Sequence, residues 1–361
     1  MAQGSRYKDL PKRIKIGNKY VGEGEPCFII AEAGINHNGD VEIAKQLIKA
    51  AKECGADAVK FQKRSTEDIL TRVALKKPYD SPNAFAATYG EHRKKLELPE
   101  SAWQELKNFS DNEGIIFFAS AWDKKSADFL ETLNLPAYKV ASADLTNLPL
   151  LEHIAKKGKP VILSTGMSVL EEVDEAVETI LKHNKELILM HCVSDYPCDN
   201  DKVNLRVMNF LKDRYEAIVG YSGHESGVAI PIAAMAMGAA VIEKHFTLNR
   251  AAKGSDHAAS LEADGLRMLV KFIKNNIEPA LGDGIKRITD MEKKMRVKLA
   301  KSIVSVSAIP KGTLIKAEML TVKGPGDGLK PNLIPKIVGK WAKSDIPEDS
   351  ILTNDQIIWE A

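Results

Sequence analysis

Polar side chains recur at the ends of short apolar runs in this chain, and their types define a chemistry. Glu32 closes the run CFIIAEA, Lys60 and Gln62 share one face of AVKFQ, and Ser120 closes IIFFAS. Lys139 and Ser142 mark AYKVAS, with Asp144 just beyond, and Ser164 and Thr165 end PVILST. His191 lies in LILMHC, followed by Ser194 and Tyr196; Ser222 ends AIVGYS ahead of His224; AVIEKHF carries Glu243 and His245. Lys139 with Ser120, Ser142, Ser164 and Ser222 can surround a phosphate and a carboxylate, and Lys60 adds positive charge. His224 and His245 can form half the shell of a borderline divalent ion such as Mn, Fe, Co or Zn. An ion beside an anion site implies a second substrate with a carbonyl to polarise. Lys139 also fits a Schiff-base lysine, although two devices for activating one carbonyl are redundant. Each residue has a plainer use as well: a serine capping a helix, a lysine in a structural ion pair, a histidine that only hydrogen-bonds. It is the recurrence over successive runs that carries the functional reading.

Eight runs must position these groups: 27–33, 58–62, 115–120, 137–142, 160–165, 187–192, 217–222 and 240–246. Each is too short for a helix, and most are rich in Val, Ile or Phe, as in strands buried on both faces of a parallel sheet. Helix-like stretches such as DVEIAKQLIKAAKECG separate them, with apolar residues three and four apart and a terminal Gly55. Eight strand–helix units predict an α/β fold of the (β/α)8 TIM-barrel type, with chemistry at the C-terminal strand ends. A doubly wound open sheet is the rival, disfavoured by the count of eight and by the absence of GxGxxG after the first run. Residues 72–99 make an unusually long second loop, expected on the same face as a substrate-covering segment. Beyond a barrel over 1–285 comes a charged helical or linker stretch over 286–302. A small β-rich domain is expected over 303–361, where IPKGTLIKAEML is echoed by IPEDSILTNDQI.

Composition narrows the function. The chain has 361 residues, 44% of them hydrophobic and 28% charged, yet a formal net charge of only +2, which gives no basic footprint for nucleic acid. The first residues, MAQGSRYKDLPKR, lack an apolar core, and no apolar run reaches membrane-spanning length. Cys27, Cys54, Cys192 and Cys198 are scattered without a CxxC pair and read as reduced thiols, so a cytoplasmic location is expected.

The motifs IIAEAGINHNGD, AVKFQK, KVASAD, ILSTGM, VGYSGH, IEKHF and KGSDHAAS, in that order, resemble the sialic acid synthase family, and the C-terminal echo resembles that family's antifreeze-like (SAF) domain. The segment YGEHRKKLE and the forms SGHE and GSDH are most similar to the animal-type branch, which acts on phosphorylated N-acetylmannosamine. The resemblance implies condensation of phosphoenolpyruvate with N-acetylmannosamine or its 6-phosphate, with phosphate leaving by C–O cleavage. It implies that Lys139, Ser120, Ser142, Ser164, Ser194 and Ser222 hold phosphoenolpyruvate. On the same resemblance Gln62, Tyr196 and Asp256 would contact the sugar, and Glu32, Lys60 and Asp144 would be catalytic, Asp144 touching the sugar as well. It implies too that His224 and His245 bind a divalent metal, Mn with Mg or Co as alternatives. A homodimer follows in which the small domain of one chain covers the partner's barrel mouth. Three departures stand out: Lys323-Gly324-Pro325-Gly326 in place of Lys-Arg-Pro-Gly, Ala141-Ser142-Ala143-Asp144 in place of Gly-Ser-Gly-Glu/Asp, and Ser194 in place of Asn. Without the arginine, the acyl group or a 6-phosphate is expected to be read by cations of the long loop: Arg72, Lys76, Lys77, Arg93 and Lys94. A synthase of a legionaminic- or pseudaminic-type acid is the alternative within enzymes, and a non-catalytic sugar-binding protein the alternative outside them.

Overall fold

The computed structural model describes Tyr7 and residues 10–360, which divide into two compact units, one up to Gly282 and one from Asp283. In the first, eight parallel strands close into a barrel: β3 (Phe28–Gly34), β4 (Ala58–Lys63), β5 (Ile116–Ala121), β6 (Tyr138–Val140), β7 (Val161–Ser164), β8 (Leu187–Cys192), β9 (Ile218–Gly223) and β10 (Val241–His245), with β10 pairing back onto β3. All eight fall on the apolar runs of the sequence, and closure settles the choice against an open sheet. Nearly every strand residue is buried, because the inner faces fill the barrel and the outer faces meet helices such as α1 (Val41–Glu53) and α5 (Glu100–Glu113). Asp40 starts α1 by accepting from the N–H groups of Glu42 and Ile43, and Gly114 ends α5 in the left-handed region at φ 69°.

The hydrophobic pattern of the first residues hid one element. β1 (Arg13–Ile16) and β2 (Lys19–Gly22) form an antiparallel hairpin whose turn uses Gly17 at φ 61°. Ile14, Ile16 and Val21 bury their side chains in the barrel's core. Buried Asp57 ties the hairpin down: it pairs with Lys19, accepts from Lys274 at 2.7 Å, and accepts from the Ile29 amide at 2.8 Å.

Between β4 and α5 lie three short helices, α2 (Thr66–Ile69) ahead of the long second loop, and α3 (Arg72–Lys76) and α4 (Tyr89–Leu96) within it. Tyr79 packs on His92 with ring centroids 4.5 Å apart, and Tyr79 and Tyr89 are 5.3 Å apart. The loop is thus a packed aromatic platform.

In the second unit a helix spans Asp290–Leu299, within the charged stretch, capped by Thr289. The sequence echo has a structural counterpart. Ile309 and Ile346, the first residues of the two copies, exchange backbone hydrogen bonds of 2.8 and 2.9 Å. Gly312 and Asp349 occupy the same turn position and both take positive φ, 77° and 53°. Ile303, Ile315, Ile337, Leu352 and Ile357 fill a small core of their own. Among the described residues no helix is long and apolar enough to cross a membrane.

Candidate active site

A cavity of about 410 Å³ opens at the C-terminal ends of the barrel strands. Strand alternation explains who lines it. Lys60 and Gln62 on β4, Ser120 on β5, Lys139 on β6, Ser164 on β7, Ser222 on β9, and Glu243 and His245 on β10 face inward, with Glu32 on β3. The same alternation turns His191 away: it faces the outside of β8, 2.7 Å from the Val203 carbonyl, while its neighbour Cys192 lines the cavity. Thr165 likewise donates to the Met190 carbonyl and is not on the cavity wall.

The floor is a buried charge network. Lys60 Nζ lies 2.6 Å from Glu32 Oε2, donates to Ser120 Oγ at 3.0 Å, and is 3.7 Å from Glu243 Oε2. Lys139 Nζ donates to Ser164 Oγ at 2.6 Å and lies 3.9 Å from Glu243 Oε1, which also accepts from Ser222 at 3.0 Å. Two carboxylates beside two ammonium groups cannot behave alike. Burial pushes Glu32 up to about 7, the attraction of Lys60 only partly opposing it. Burial acts on Glu243 as well, but there Lys139 and Lys60 together prevail and hold it well below the usual range. Burial also lowers Lys139. The site therefore contains a carboxyl able to keep its proton near neutrality, beside one that stays ionised.

Ser142 and Ser194 meet at Gly166, whose amide donates to Ser142 Oγ at 3.0 Å. A Cβ at Gly166 would stand 2.5 Å from Ser194 Oγ and 2.8 Å from Ser142 Oγ, so only glycine lets both hydroxyls reach this point. Asp144 sits apart from Ser142. The 3-10 turn over Ser142–Asp144 aims Ser142 into the cavity but leaves Asp144 off its wall, where Asn147 donates to it at 3.2 Å. Its other oxygen, Oδ2, is buried without a hydrogen-bond partner.

His224 and His245 face each other with ring centroids 5.3 Å apart, and Tyr196 packs on His224 at 4.0 Å. The Val193 carbonyl, 2.7 Å from His224 Nδ1, can only accept, so Nδ1 carries the proton and Nε2 keeps its lone pair. His245 Nδ1 is buried without a hydrogen-bond partner, 3.9 Å from Asp256 Oδ2. Burial, reinforced by His245, lowers His224 to about 4; burial lowers His245 too. Both rings are thus neutral, the form that ligates metals. Among the described residues no group of three or more His, Cys, Asp or Glu is gathered as a ligand set. The arrangement suits an ion that keeps several positions for substrate or water. Gln62, which donates to Glu32 at 3.0 Å, and Asp256 line the same cavity.

The long loop contributes Tyr79, Tyr89, His92 and Arg93 to the wall. Arg93 Nε donates to the Tyr89 hydroxyl at 2.9 Å. Arg72, Lys76 and Lys77 are exposed and do not reach the cavity, and Lys94 is drawn off by an ion pair with Glu67 at the surface. In place of Lys94 the cavity has Arg64, buried, stacked 5.5 Å from the Trp122 ring, with Nε on Glu97 at 2.6 Å and Nη2 without a partner. Arg64 and Trp122 were legible in principle, since they stand two residues beyond Gln62 and Ser120.

Barrel enzymes keep their chemistry on this face, and a cavity lined there by two lysines and several hydroxyls has the chemistry to receive an anion. The chain belongs to the NeuB family, whose model matches residues 47–286, and residues 300–358 match the SAF domain. It is 42% identical over 341 residues to human N-acetylneuraminate-9-phosphate synthase, covering 94% of this chain and 95% of that one. It is 39% identical to the N,N'-diacetyllegionaminic acid synthase of Legionella pneumophila, covering 95% and 97%. Among solved structures, the N-acetylneuraminic acid (sialic acid) synthetase of Leptospira borgpetersenii, in complex with citrate, superposes with a TM-score of 0.70 at 34% identity, covering 80% of this chain and 96% of that one.

Proposed function

We propose that this enzyme condenses phosphoenolpyruvate with an N-acylated hexosamine, N-acetylmannosamine or its 6-phosphate, to give a sialic-acid-type nonulosonic acid and phosphate. The observation that carries the reading is one cavity in which the Lys139–serine array stands beside two neutral imidazoles. Lys139, Ser120, Ser142, Ser164, Ser194 and Ser222 hold the phosphate and carboxylate of phosphoenolpyruvate, and Lys60 keeps Glu32 in place. Gln62, Tyr196 and Asp256 orient the sugar. His224 and His245 would hold a divalent ion, manganese first with magnesium or cobalt as alternatives, which when bound supplies polarisation of the aldehyde. C3 of phosphoenolpyruvate then bonds to the aldehyde carbon, water adds at C2, and the C2–O bond breaks to release phosphate. Glu32, holding its proton near neutrality, gives it to the new hydroxyl and takes one from the attacking water. The family resemblance supports a homodimer with each SAF unit over the partner's barrel, and four buried free cysteines support a reducing, cytoplasmic setting.

Arg93 and the unpartnered Nη2 of Arg64 favour the 6-phosphate sugar, as does the name of the human relative. With phosphoenolpyruvate and manganese, kcat/KM for the 6-phosphate is expected to exceed that for the free sugar. Arg93→Gln should lower that ratio by about 10–100-fold, the worth of one charge-assisted hydrogen bond. Arg72→Gln, on the exposed side of the same loop, should not change it. Steady-state kinetics on a panel of N-acylated hexosamines, products identified by mass, checks this. Equal rates with both sugars would refute the phosphate reading, and a legionaminic-type product would shift the assignment to that branch.

A further inference from the structure

Behind the two imidazoles, on the outer face of the barrel, lies an ion pair that the reaction does not use. Lys244 and Glu225 are adjacent in sequence to His245 and His224, and both side chains are 0% exposed. Lys244 Nζ donates to the Glu225 backbone carbonyl at 2.6 Å and to Oε1 at 3.0 Å, while the Tyr221 hydroxyl donates to Oε2 at 2.6 Å. The fold makes room for this: a Cβ at Gly223 would stand 2.5 Å from Glu225 Oε2 and 2.6 Å from the Tyr221 ring. Burying two charges costs several kcal/mol each before their attraction is counted, and an apolar pair of the same volume stabilises a fold as well or better. Stability alone does not explain the pair.

Register supplies a reason. The β9–β10 ladder runs from Val241↔Gly220 to Lys244↔Gly223, and the next residues are His245 and His224. The imidazoles thus sit where the ladder ends. Past that point the two strand ends are joined by Lys244 clasping Glu225, while Cys198 N–H donates to the His224 carbonyl at 3.1 Å. We propose that the Lys244–Glu225 pair, with Tyr221, is a staple that fixes the separation of His224 and His245, so that these three are positioning residues setting the affinity of the ion site. The inference rests on the reading of the two histidines as ion ligands.

The test is manganese binding to the full chain, read from the electron paramagnetic resonance of free Mn(II), with phosphoenolpyruvate binding measured by calorimetry without metal. The double variant Glu225→Leu/Lys244→Met should keep its fold by circular dichroism, bind manganese about 10–100-fold more weakly, and bind phosphoenolpyruvate within about twofold of the parent. A folded double variant with unchanged manganese affinity would overturn the staple. If the double variant does not fold, Tyr221→Phe removes one hydrogen bond from Glu225; a several-fold rise in the manganese Kd supports the staple and an unchanged Kd overturns it. No manganese binding by the parent would overturn the ligand reading and the staple with it, an outcome distinct from equal affinities in parent and variant.

Discussion

Replacing Lys139 by methionine is expected to lower kcat/KM for phosphoenolpyruvate by a factor on the order of 10²–10³, with the fold retained. Lys139 is fully buried and donates to Ser164, with Glu243 at 3.9 Å as its counter-charge. Removing one member of a buried charged set leaves the other uncompensated, which typically costs about 3–5 kcal/mol. Glu243, kept ionised by Lys60 but with its charge no longer offset by Lys139, would also repel the incoming phosphate and carboxylate. Methionine keeps the volume, so the loss reports charge and not packing. Steady-state kinetics with circular dichroism as a control measures this. The burial that lowers Lys139 would also suit an imine-forming lysine, so borohydride is added in the presence of phosphoenolpyruvate or pyruvate. No adduct on Lys139 is expected, because an ion held by His224 and His245 would supply the other means of activating a carbonyl. A pyruvyl–lysine adduct would reverse the assignment.

Replacing His224 by alanine is expected to lower kcat by about 10³-fold or more, since polarising a carbonyl is worth several kcal/mol of transition-state stabilisation. The apo protein should fold normally, because the His224 ring contributes one hydrogen bond to Val193 and its packing against Tyr196. Chelation of the parent enzyme should remove activity to a similar extent and added manganese should restore it, since two protein ligands give only modest affinity. Full activity in chelator would contradict the ion reading.

Much of the barrel was legible because its strands are short apolar runs with no competing pattern. Much of the site was legible because a period of two puts Lys60 with Gln62, and Glu243 with His245, on one face. Side-chain direction was not legible at every position. Asp144 lies in a 3-10 turn, whose direction no strand pattern specifies, and it ends beside Asn147 and off the cavity wall. His191 obeys the period, which sends it out of the barrel and Cys192 in. Among the loop cations, charge could not distinguish Lys94, neutralised by Glu67, from Arg93 on the wall; that depends on which carboxylate folds nearby. The hairpin of β1 and β2 is too short for its alternation to stand out, though Ile14, Ile16 and Val21 mark it once seen.

The measurement that bears most directly on the proposed reaction is the fate of the bridging oxygen of phosphoenolpyruvate. The enzyme is incubated with manganese, N-acetylmannosamine 6-phosphate and phosphoenolpyruvate carrying ¹⁸O between C2 and phosphorus, and both products are weighed by mass spectrometry. The proposed chemistry predicts a nonulosonic acid without label and inorganic phosphate with it, because the C2–O bond breaks and water supplies the new oxygen. Label retained in the acid, or no acid formed with any N-acylated hexosamine, would contradict it.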